Sequence, residues 1–344
     1  MTRLSELGES HIISRVLGRN PSSTHVIVGP GDDAAVTAPE GRLVSTADML
    51  VENEDFTREW LDWKKLGVKA AAQNLADVCA MGAMPHGLLV SVAVPDDTDI
   101  VCLEALYSGL FDEAERAGTA LDCTVPIIGG DLSSSGLIVI AITALGTVGE
   151  ESAILRSGAQ PGDSLLLAGT VGRAAAGLDL LFAGARPDTV GPEFRSLIDT
   201  QLAPQPDYGA LATLRASAMI DVSDGLSLDL ARVATASGVG IDLDCSLLSD
   251  LVDPLLPAAE FVLDARAADG ASEADGGNDA ATTAEDLALS WVLDGGEDHG
   301  FAASAPPAAA PGVGWRRIGE IRTGHDVSLD GTPVPASGFS HFGK

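Results

Sequence analysis

The sequence predicts a mixed α/β (α+β) protein of two domains, and three observations lead to that prediction. The chain has 344 residues, which is more than one ordinary hydrophobic core supports. Through its first half, short apolar stretches bounded by Gly, Pro or Asp alternate with longer helix-like stretches. A turn rich in Gly and Pro at 157–163 then separates this half from a second series of strands and helices. We therefore expect an N-terminal α/β domain at residues 1–150 and a larger C-terminal α/β domain at residues 151–344.

The first half is predicted to combine four strands with two long helices. The strand-like segments are β-branched or apolar and lie at 25–28, 43–45, 87–94 and 137–146. An alanine-rich helix is predicted over 63–81, with Gly82 as its stop signal, and a second helix over 99–117. In the first helix Asn74 and Asp77 share one face, because residues three apart are neighbours on a helix surface.

The second half continues the alternation, with strands predicted at 164–168 and 217–220 and helices at 174–182 and 226–237. The first helix is entered through Gly169-Thr170-Val171-Gly172, which fits either a phosphate-binding turn or a simple connector of small residues. It is not a P-loop, because no Gly-Lys-Ser/Thr follows the glycines. Residues 264–286 contain almost no large apolar side chains and are predicted to form a mobile acidic insertion, with order returning at 287–293.

Composition and charge exclude several classes of partner. The formal charge is −30, from 50 acids and 20 bases, which makes a nucleic acid or an anionic membrane surface an unfavourable partner. No apolar run suits a membrane span, and residues 1–8 have no apolar segment typical of a secretory signal. The four cysteines are far apart and form no Cys-x-x-Cys pair, which is typical of a reducing compartment. We expect a cytoplasmic protein.

Acidic residues fall repeatedly on short turns marked by glycine. Glycine lets the backbone approach a ligand closely, and a neighbouring carboxylate can hold a hard cation. Taken singly, each aspartate is more often a turn or helix-cap residue, with Asp221 and Ser223 as good cap candidates. Taken together, they predict a pocket for several Mg²⁺ ions and a polyphosphate; the segments concerned are Gly29–Asp33, Asp48, Asp77, Gly129–Asp131, Asp221–Gly225 and Gly295–Asp298.

Six segments in a fixed order resemble the motifs of the thiamine-monophosphate kinase family. They are Gly-Asp-Asp-Ala-Ala-Val (31–36), Asn-Leu-Ala-Asp-Val-Cys-Ala-Met-Gly-Ala (74–83), Gly-Gly-Asp (129–131), Leu-Arg-Ser-Gly-Ala-Gln-Pro-Gly-Asp (155–163), Asp-Val-Ser-Asp-Gly-Leu (221–226) and Gly-Gly-Glu-Asp (295–298). The resemblance runs from about residue 4 to residue 342, apart from the acidic insertion. It implies a two-domain aminoimidazole ribonucleotide synthetase-like fold, in which the N-terminal sheets of two copies pair into a barrel in a homodimer.

The resemblance also implies an activity and a set of site residues. The family transfers the terminal phosphoryl group of ATP directly onto thiamine phosphate, with several Mg²⁺ ions and no covalent nucleophile on the protein. The implied metal ligands are Asp33, Thr46, the Ala47 carbonyl, Asp48, Asp77, Asp131, Asp221 and Asp224. The implied ATP-binding residues are Gly130, Asp131, Arg156 and Ser223. The implied residues on the side of thiamine phosphate are Asp55, Glu297 and Phe339.

Two residues depart from the family pattern, and both lie on the acceptor side. Asp55 stands where the family commonly has a histidine, and Phe339 replaces a Trp or Tyr, keeping a stacking face but losing a polar group. His86, His299 and His341 are single histidines, interpreted as surface or packing residues. Two alternatives remain open: another ATP-using enzyme of the superfamily, similar to aminoimidazole ribonucleotide synthetase, or an inactive module that binds a nucleotide or cation.

Overall fold

The computed structural model describes residues 2–149, 153–268, 282–309 and 312–339. The chain divides into two compact units, Met1–Ala153 and Ile154–Lys344. Each unit combines helices with β-sheet, which confirms the predicted mixed α/β class. Within the described ranges, no helix has the length and apolar character needed to cross a bilayer.

The N-terminal unit is built on a four-stranded sheet with strand order β3-β6-β4-β5. Strands β4 and β5 run parallel, and the other neighbours are antiparallel. A short 3₁₀ helix (Leu4–Glu6) and a two-stranded hairpin of β1 and β2 accompany the sheet. The elements are α1 (Glu9–Val16), β1 (Val26–Val28), β2 (Val36–Thr37), β3 (Arg42–Val51), α2 (Trp63–Ala80), β4 (Met84–Val94), α3 (Ile100–Leu121), β5 (Ile127–Ser134) and β6 (Val139–Val148).

The two faces of this sheet differ because one of them is covered by helix α2, against which α3 packs. Alternate side chains of a strand point to opposite faces, so Asp48 and Leu50 of β3 lie on the side of α2. On the other side the large apolar residues Leu43 and Met49 are 57% and 56% exposed. The N-terminal unit therefore presents an apolar sheet face to solvent.

The C-terminal unit is built on a seven-stranded sheet with strand order β13-β12-β9-β11-β7-β10-β8. Its strands are β7 (Ser164–Ala168), β8 (Ala218–Val222), β9 (Gly240–Leu243), β10 (Gly300–Ala305), β11 (Trp315–Arg322), β12 (Val327–Leu329) and β13 (Thr332–Pro333). Its helices are α4 (Arg173–Phe182), α5 (Pro192–Leu202), α6 (Tyr208–Leu211), α7 (Leu226–Ser237), α8 (Cys245–Val252), α9 (Leu256–Ala268) and α10 (Ala284–Asp294), with a 3₁₀ turn at Asp253–Leu255.

The predicted acidic insertion at 264–286 is wrong at both ends. Residues 264–268 complete helix α9, where Arg266 forms an ion pair with Asp179 of α4 at 2.9 Å. At the other end Thr283 caps α10, and its hydroxyl and backbone N–H both contact the Asp286 carboxylate. Local alanine content and a capping box thus extend both helices into a segment that lacks large apolar side chains. Residues 269–281 lie outside the described residues.

The Gly129-Gly130-Asp131 segment was predicted to be a turn, and this prediction is wrong. The segment lies inside strand β5 and pairs in parallel with Leu89, Val90 and Ser91 of β4. Its glycines serve close packing of two backbones, since a Cβ on Gly130 would lie 1.8 Å from the Val90 carbonyl oxygen. The backbone of Gly130 also has φ +150°, which disfavours residues with a side chain.

We predict that Gly130→Ala lowers the free energy of unfolding of the N-terminal unit by more than about 3 kcal/mol, because backbone must shift to admit the new methyl group. Thermal and urea unfolding of the full chain measure the effect. Gly136→Ala is the matched control, because a Cβ there has no atom within 4 Å. Equal stability of the two variants would contradict the close approach of β4 and β5.

Candidate active site

In the N-terminal unit the structure brings together three of the predicted metal ligands. Thr46 and Asp48 are two residues apart on β3 and share the face covered by α2, while Ala47 lies between them on the opposite face. The Thr46 hydroxyl donates to the Asp77 carboxylate of α2 at 2.6 Å. Two carboxylates and a hydroxyl from one strand and one helix therefore form a group of oxygen atoms.

Asn74, which was not predicted to belong to the site, holds this group in place. Its side-chain oxygen accepts the Asp48 backbone N–H at 3.0 Å, and its side-chain nitrogen donates to the Ala70 carbonyl at 3.0 Å. The residue is 1% exposed. A buried amide that is paired at both ends fixes the backbone of β3 against α2. The shared helix face of Asn74 and Asp77 was the available sequence signal.

Asp131 and Gly130 do not join this group within one sheet. Strands β6 and β4 separate β5 from β3, so about 14 Å of sheet lies between Asp131 and Asp48. The register also places them on different faces, because Asp131 pairs with Ser91, Ser91 with Ala141, and Ala141 with Met49. Asp131 and Asp48 of one chain therefore cannot bind the same ion through this sheet.

Asp33 and Asp55 lie in separate loops of the N-terminal unit. Asp33 follows β1, is exposed, and its backbone N–H donates to the Asp32 carboxylate at 2.9 Å. One carboxylate oxygen of Asp55 accepts the Val51 backbone N–H at 2.7 Å, closing the turn after β3. An aspartate in this position thus has a local role in the turn.

In the C-terminal unit the Asp221–Gly225 loop, which runs from the end of β8 to the start of α7, carries three predicted site residues and contacts two more. The Ser223 carbonyl accepts the backbone N–H of Glu297 at 2.9 Å. The Asp224 carbonyl accepts the backbone N–H of Phe339 at 3.0 Å. Ser223 and Asp224 therefore lie beside Glu297 and Phe339, two of the three predicted acceptor residues. Glu297 has φ +73°, so its side chain is placed by a left-handed turn.

Buried Ser227, at the start of α7, fastens the segment that carries Phe339 to this loop. Its hydroxyl lies 2.7 Å from the Asp294 carboxylate and 2.8 Å from the Ser337 carbonyl, and it accepts the Ser337 N–H at 3.2 Å. A Cβ on Gly338 would lie 2.4 Å from the Asp224 carbonyl oxygen. The chain thus passes too close to the loop for any residue but glycine at 338.

The loop is stabilised from inside helix α7 by Asp229, which sequence analysis missed. One carboxylate oxygen accepts the backbone N–H groups of Ser223 and Asp224, both at 3.1 Å. The other oxygen lies 2.5 Å from Arg232. Burial raises the pKa of Asp229 to about 6, against the opposing effects of the Asp224 N–H and Arg232. The expected helix caps Asp221 and Ser223 do not cap α7, whose N-cap is Gly225.

His299 is buried and contacts Asp221, so it follows the packing alternative of its interpretation as a surface or packing residue. Its Nδ1 lies 3.3 Å from a carboxylate oxygen of Asp221, the penultimate residue of β8. His299 has φ +52°, an uncommon conformation for a residue with a side chain. The ring is therefore a packing neighbour of one predicted metal ligand.

Asp298 decides between the two interpretations of the turn at Gly169–Gly172. Its carboxylate accepts the backbone N–H groups of Ala174 at 2.8 Å and Arg173 at 3.3 Å, and the Thr170 hydroxyl at 2.7 Å. Burial raises the pKa of Asp298, although these hydrogen bonds and Arg173 oppose the shift. An internal carboxylate already occupies the N-terminus of α4, which favours the connector over a phosphate site.

Arg156, a predicted ATP-binding residue, is held near the opposite end of α7. Its carbonyl accepts the hydroxyl of Ser237, the last residue of that helix, at 3.0 Å. The Asp221–Gly225 loop precedes the first residue of the same helix. The backbone of Arg156 thus lies away from Ser223. Its side chain is exposed to solvent.

The donor chemistry of the site suits Mg²⁺ bound together with phosphate. Among the residues that the structure describes, no three His, Cys, Asp or Glu side chains form a group that could hold a metal. Mg²⁺ does not require such a cage, since it commonly takes one or two carboxylates, several waters and substrate phosphates. Hard oxygen donors in small groups, at Thr46, Asp48 and Asp77 and at Asp221 and Asp224, fit that mode.

Comparison with known proteins agrees with the family resemblance of the sequence motifs. The family model for AIR synthase related protein, N-terminal domain, matches residues 31–148. A thiamine-monophosphate kinase of Mycobacterium tuberculosis (strain CDC 1551 / Oshkosh) is 39% identical, covering 99% of this chain and 93% of its own. The thiamine-monophosphate kinase of Stenotrophomonas maltophilia K279a has a solved structure with a TM-score of 0.72, 30% identity, and coverage of 94% of this chain and 96% of its own.

A further solved structure, AaThiL complexed with AMPPCP and TMP, has a TM-score of 0.71 and 29% identity and covers 99% of both chains. These likenesses confirm the predicted aminoimidazole ribonucleotide synthetase-like fold. Since the match at 39% identity spans nearly the whole sequence, the chain belongs to the thiamine-monophosphate kinase family.

Proposed function

We propose that this chain transfers the terminal phosphoryl group of ATP to thiamine phosphate, giving thiamine diphosphate and ADP. Family membership supports the proposal, as does a relative of the same fold complexed with AMPPCP and TMP. Its main structural support is that backbone hydrogen bonds hold Glu297 and Phe339 against the Asp221–Gly225 loop. Ser223 and Asp224 on the donor side and Glu297 and Phe339 on the acceptor side thereby form one group.

For this reaction the protein has to align the two substrates and compensate the charge of their phosphates. The attacking atom is a phosphate oxygen that is ionised at neutral pH, so no strong general base and no covalent nucleophile are required. In-line transfer between two polyanions needs positive charge and fixed geometry. On this chain, the Thr46 hydroxyl orients the Asp77 carboxylate, and the side-chain oxygen of Asn74 accepts the Asp48 backbone N–H and fixes the backbone that carries the second carboxylate.

We propose that several bound Mg²⁺ ions would supply the positive charge that compensates the phosphates. In the N-terminal unit the residues that would hold them are Asp33, Thr46, the Ala47 carbonyl, Asp48, Asp77 and Asp131. In the C-terminal unit they are Asp221 and Asp224. The nucleotide residues Gly130, Arg156 and Ser223 and the acceptor residue Asp55 also remain proposals, supported by the family motifs. The wide spacing of the four cysteines, with no Cys-x-x-Cys pair, supports the proposed cytoplasmic location.

The direct test incubates purified full-length protein with ATP, Mg²⁺ and thiamine phosphate and measures thiamine diphosphate. We expect Asp224→Asn to lower turnover roughly 100-fold or more, because it removes a metal-ligand charge with little change in volume. Asp250→Asn, on the exposed surface of α8, is the control and should keep wild-type turnover.

Two outcomes contradict the proposal. Turnover of formylglycinamidine ribonucleotide without any thiamine diphosphate would indicate a sister enzyme of the superfamily. Saturable ATP binding with no product from either substrate would indicate an inactive binding module.

Phe339 is proposed to pack on the acceptor, since its backbone is fixed at Asp224 while its side chain is 54% exposed. We predict that Phe339→Ala raises the KM for thiamine phosphate about tenfold, through loss of a stacking surface, and leaves the KM for ATP unchanged. Steady-state kinetics with each substrate varied in turn measure both constants. Phe182→Ala, at a 70% exposed position on α4, is the control. Equal shifts in both KM values would contradict an acceptor-side role.

We infer that two copies pair through the apolar face of the N-terminal sheet, closing two four-stranded sheets into a barrel. Leu43 and Met49 are large apolar residues left exposed on that face. We predict that Met49→Asp converts the dimer to a monomer at micromolar concentration, because a buried carboxylate would be unpaired. Light scattering after size exclusion measures the mass. Val101→Asp, on the exposed surface of α3, should stay dimeric, and a monomeric wild type would contradict the pairing.

A further inference from the structure

Three charged side chains meet beside the Asp221–Gly225 loop. One nitrogen of Arg232, Nη1, lies 2.5 Å from Oδ1 of Asp229 and 2.7 Å from Oδ2 of Asp224. Asp229 is fully buried, whereas the side chains of Arg232 and Asp224 are 37% and 28% exposed. A single guanidinium nitrogen is therefore shared between a buried carboxylate and a carboxylate that solvent can reach.

The buried carboxylate is fully engaged. Oδ2 of Asp229 accepts the backbone N–H groups of Ser223 and Asp224, and Oδ1 accepts Arg232. An ionised group without water must be compensated in this way, or its burial is strongly unfavourable. Asp229 consequently fixes two things at once, namely the backbone of the loop and the position of the Arg232 head group.

Arg232 then acts on the Asp224 side chain. Its positive charge orients the carboxylate and partly neutralises it, so a divalent cation that binds Asp224 must share the carboxylate with the guanidinium. Arg232 lies 2.7 Å from the partly exposed Asp224 carboxylate. At such a site, gain or loss of one unit of charge changes the affinity for a divalent cation about fivefold.

We propose that Asp229 and Arg232 are positioning residues that set the divalent-cation affinity of Asp224. Asp229 holds Arg232, and Arg232 keeps the Asp224 carboxylate oriented while weakening its attraction for the cation. The inference rests on the proposed function, in which Asp224 is a Mg²⁺ ligand. It assigns opposite effects on metal binding to two side chains that touch each other.

The test measures Mg²⁺ binding to the full-length protein by calorimetry in the presence of saturating AMPPCP, separately from turnover. Arg232→Met should bind Mg²⁺ about three- to tenfold more tightly, because a competing positive charge is lost, while its kcat falls about tenfold because Asp224 is no longer oriented. Asp229→Asn keeps the side-chain volume but releases Arg232 to Asp224, so Mg²⁺ should bind about three- to tenfold more weakly. Arg232→Lys keeps the charge and should restore wild-type Mg²⁺ affinity.

A purely structural role predicts a different pattern, in which a loosened loop weakens metal binding and turnover together. Weaker or unchanged Mg²⁺ binding in Arg232→Met would therefore overturn the proposal. If Asp229→Asn unfolds on heating well below the wild type, the comparison of Arg232→Met with Arg232→Lys still decides, since Arg232 is partly exposed.

Failure of the proposed function gives a distinct result. A wild-type protein that binds Mg²⁺ and AMPPCP but makes no thiamine diphosphate would refute the acceptor assignment, and the predicted order of Mg²⁺ affinities would still support the roles of Arg232 and Asp229. A wild-type protein that binds no Mg²⁺ would overturn both.

Discussion

Two backbone hydrogen bonds to consecutive carbonyls hold the site of the C-terminal unit together. The Ser223 carbonyl accepts from Glu297, and the Asp224 carbonyl accepts from Phe339, so segments more than 70 residues away in sequence meet at one loop. Among substitutions only proline removes a backbone N–H donor, and the two segments must keep the same register for the contacts to persist. Side-chain chemistry on Asp221, Asp224, Glu297 and Phe339 depends on this arrangement, because the loop gives each of them its position.

The same arrangement concentrates negative charge, because three aspartates lie in the nine residues 221–229 that join β8 to α7. Burial raises the pKa of Asp229, and the like charges of Asp221 and Asp224 add to this rise. Positively polarised groups compensate these charges. Two backbone N–H groups donate to Asp229, and the Arg232 guanidinium lies between Asp229 and Asp224. A comparable solution operates at Asp298, where the N-terminus of α4 and Thr170 compensate a buried carboxylate.

Regular elements were predictable because their signals are local. Strand β7 and helix α7 occupy the predicted residues 164–168 and 226–237, and α2 ends one residue before the prediction. Gly130 was predicted to lie in a turn because glycine is more common in turns than in closely paired strands. Only the register with Val90 distinguishes the two cases. Asp298 belongs to the predicted Gly295–Asp298 segment, but its contact with Ala174 spans 124 residues and only the tertiary structure defines it. Asp229 contacts the nearby backbone of Ser223 and Asp224, and no motif in the sequence marks it for that role.

The acids of this chain therefore divide by what compensates them. Asp229 and Asp298 are satisfied by the protein itself, through N–H groups and a guanidinium, and they have no oxygen to offer a ligand. Asp224 shares one oxygen with Arg232 and remains partly exposed, so its compensation is incomplete without a further cation. A chain with a formal charge of −30 repels a nucleotide triphosphate unless cations lie between them. Incomplete internal compensation at Asp224 is thus the physical condition that would make binding of the nucleotide depend on Mg²⁺, while the complete compensation of Asp229 keeps the loop folded before either arrives.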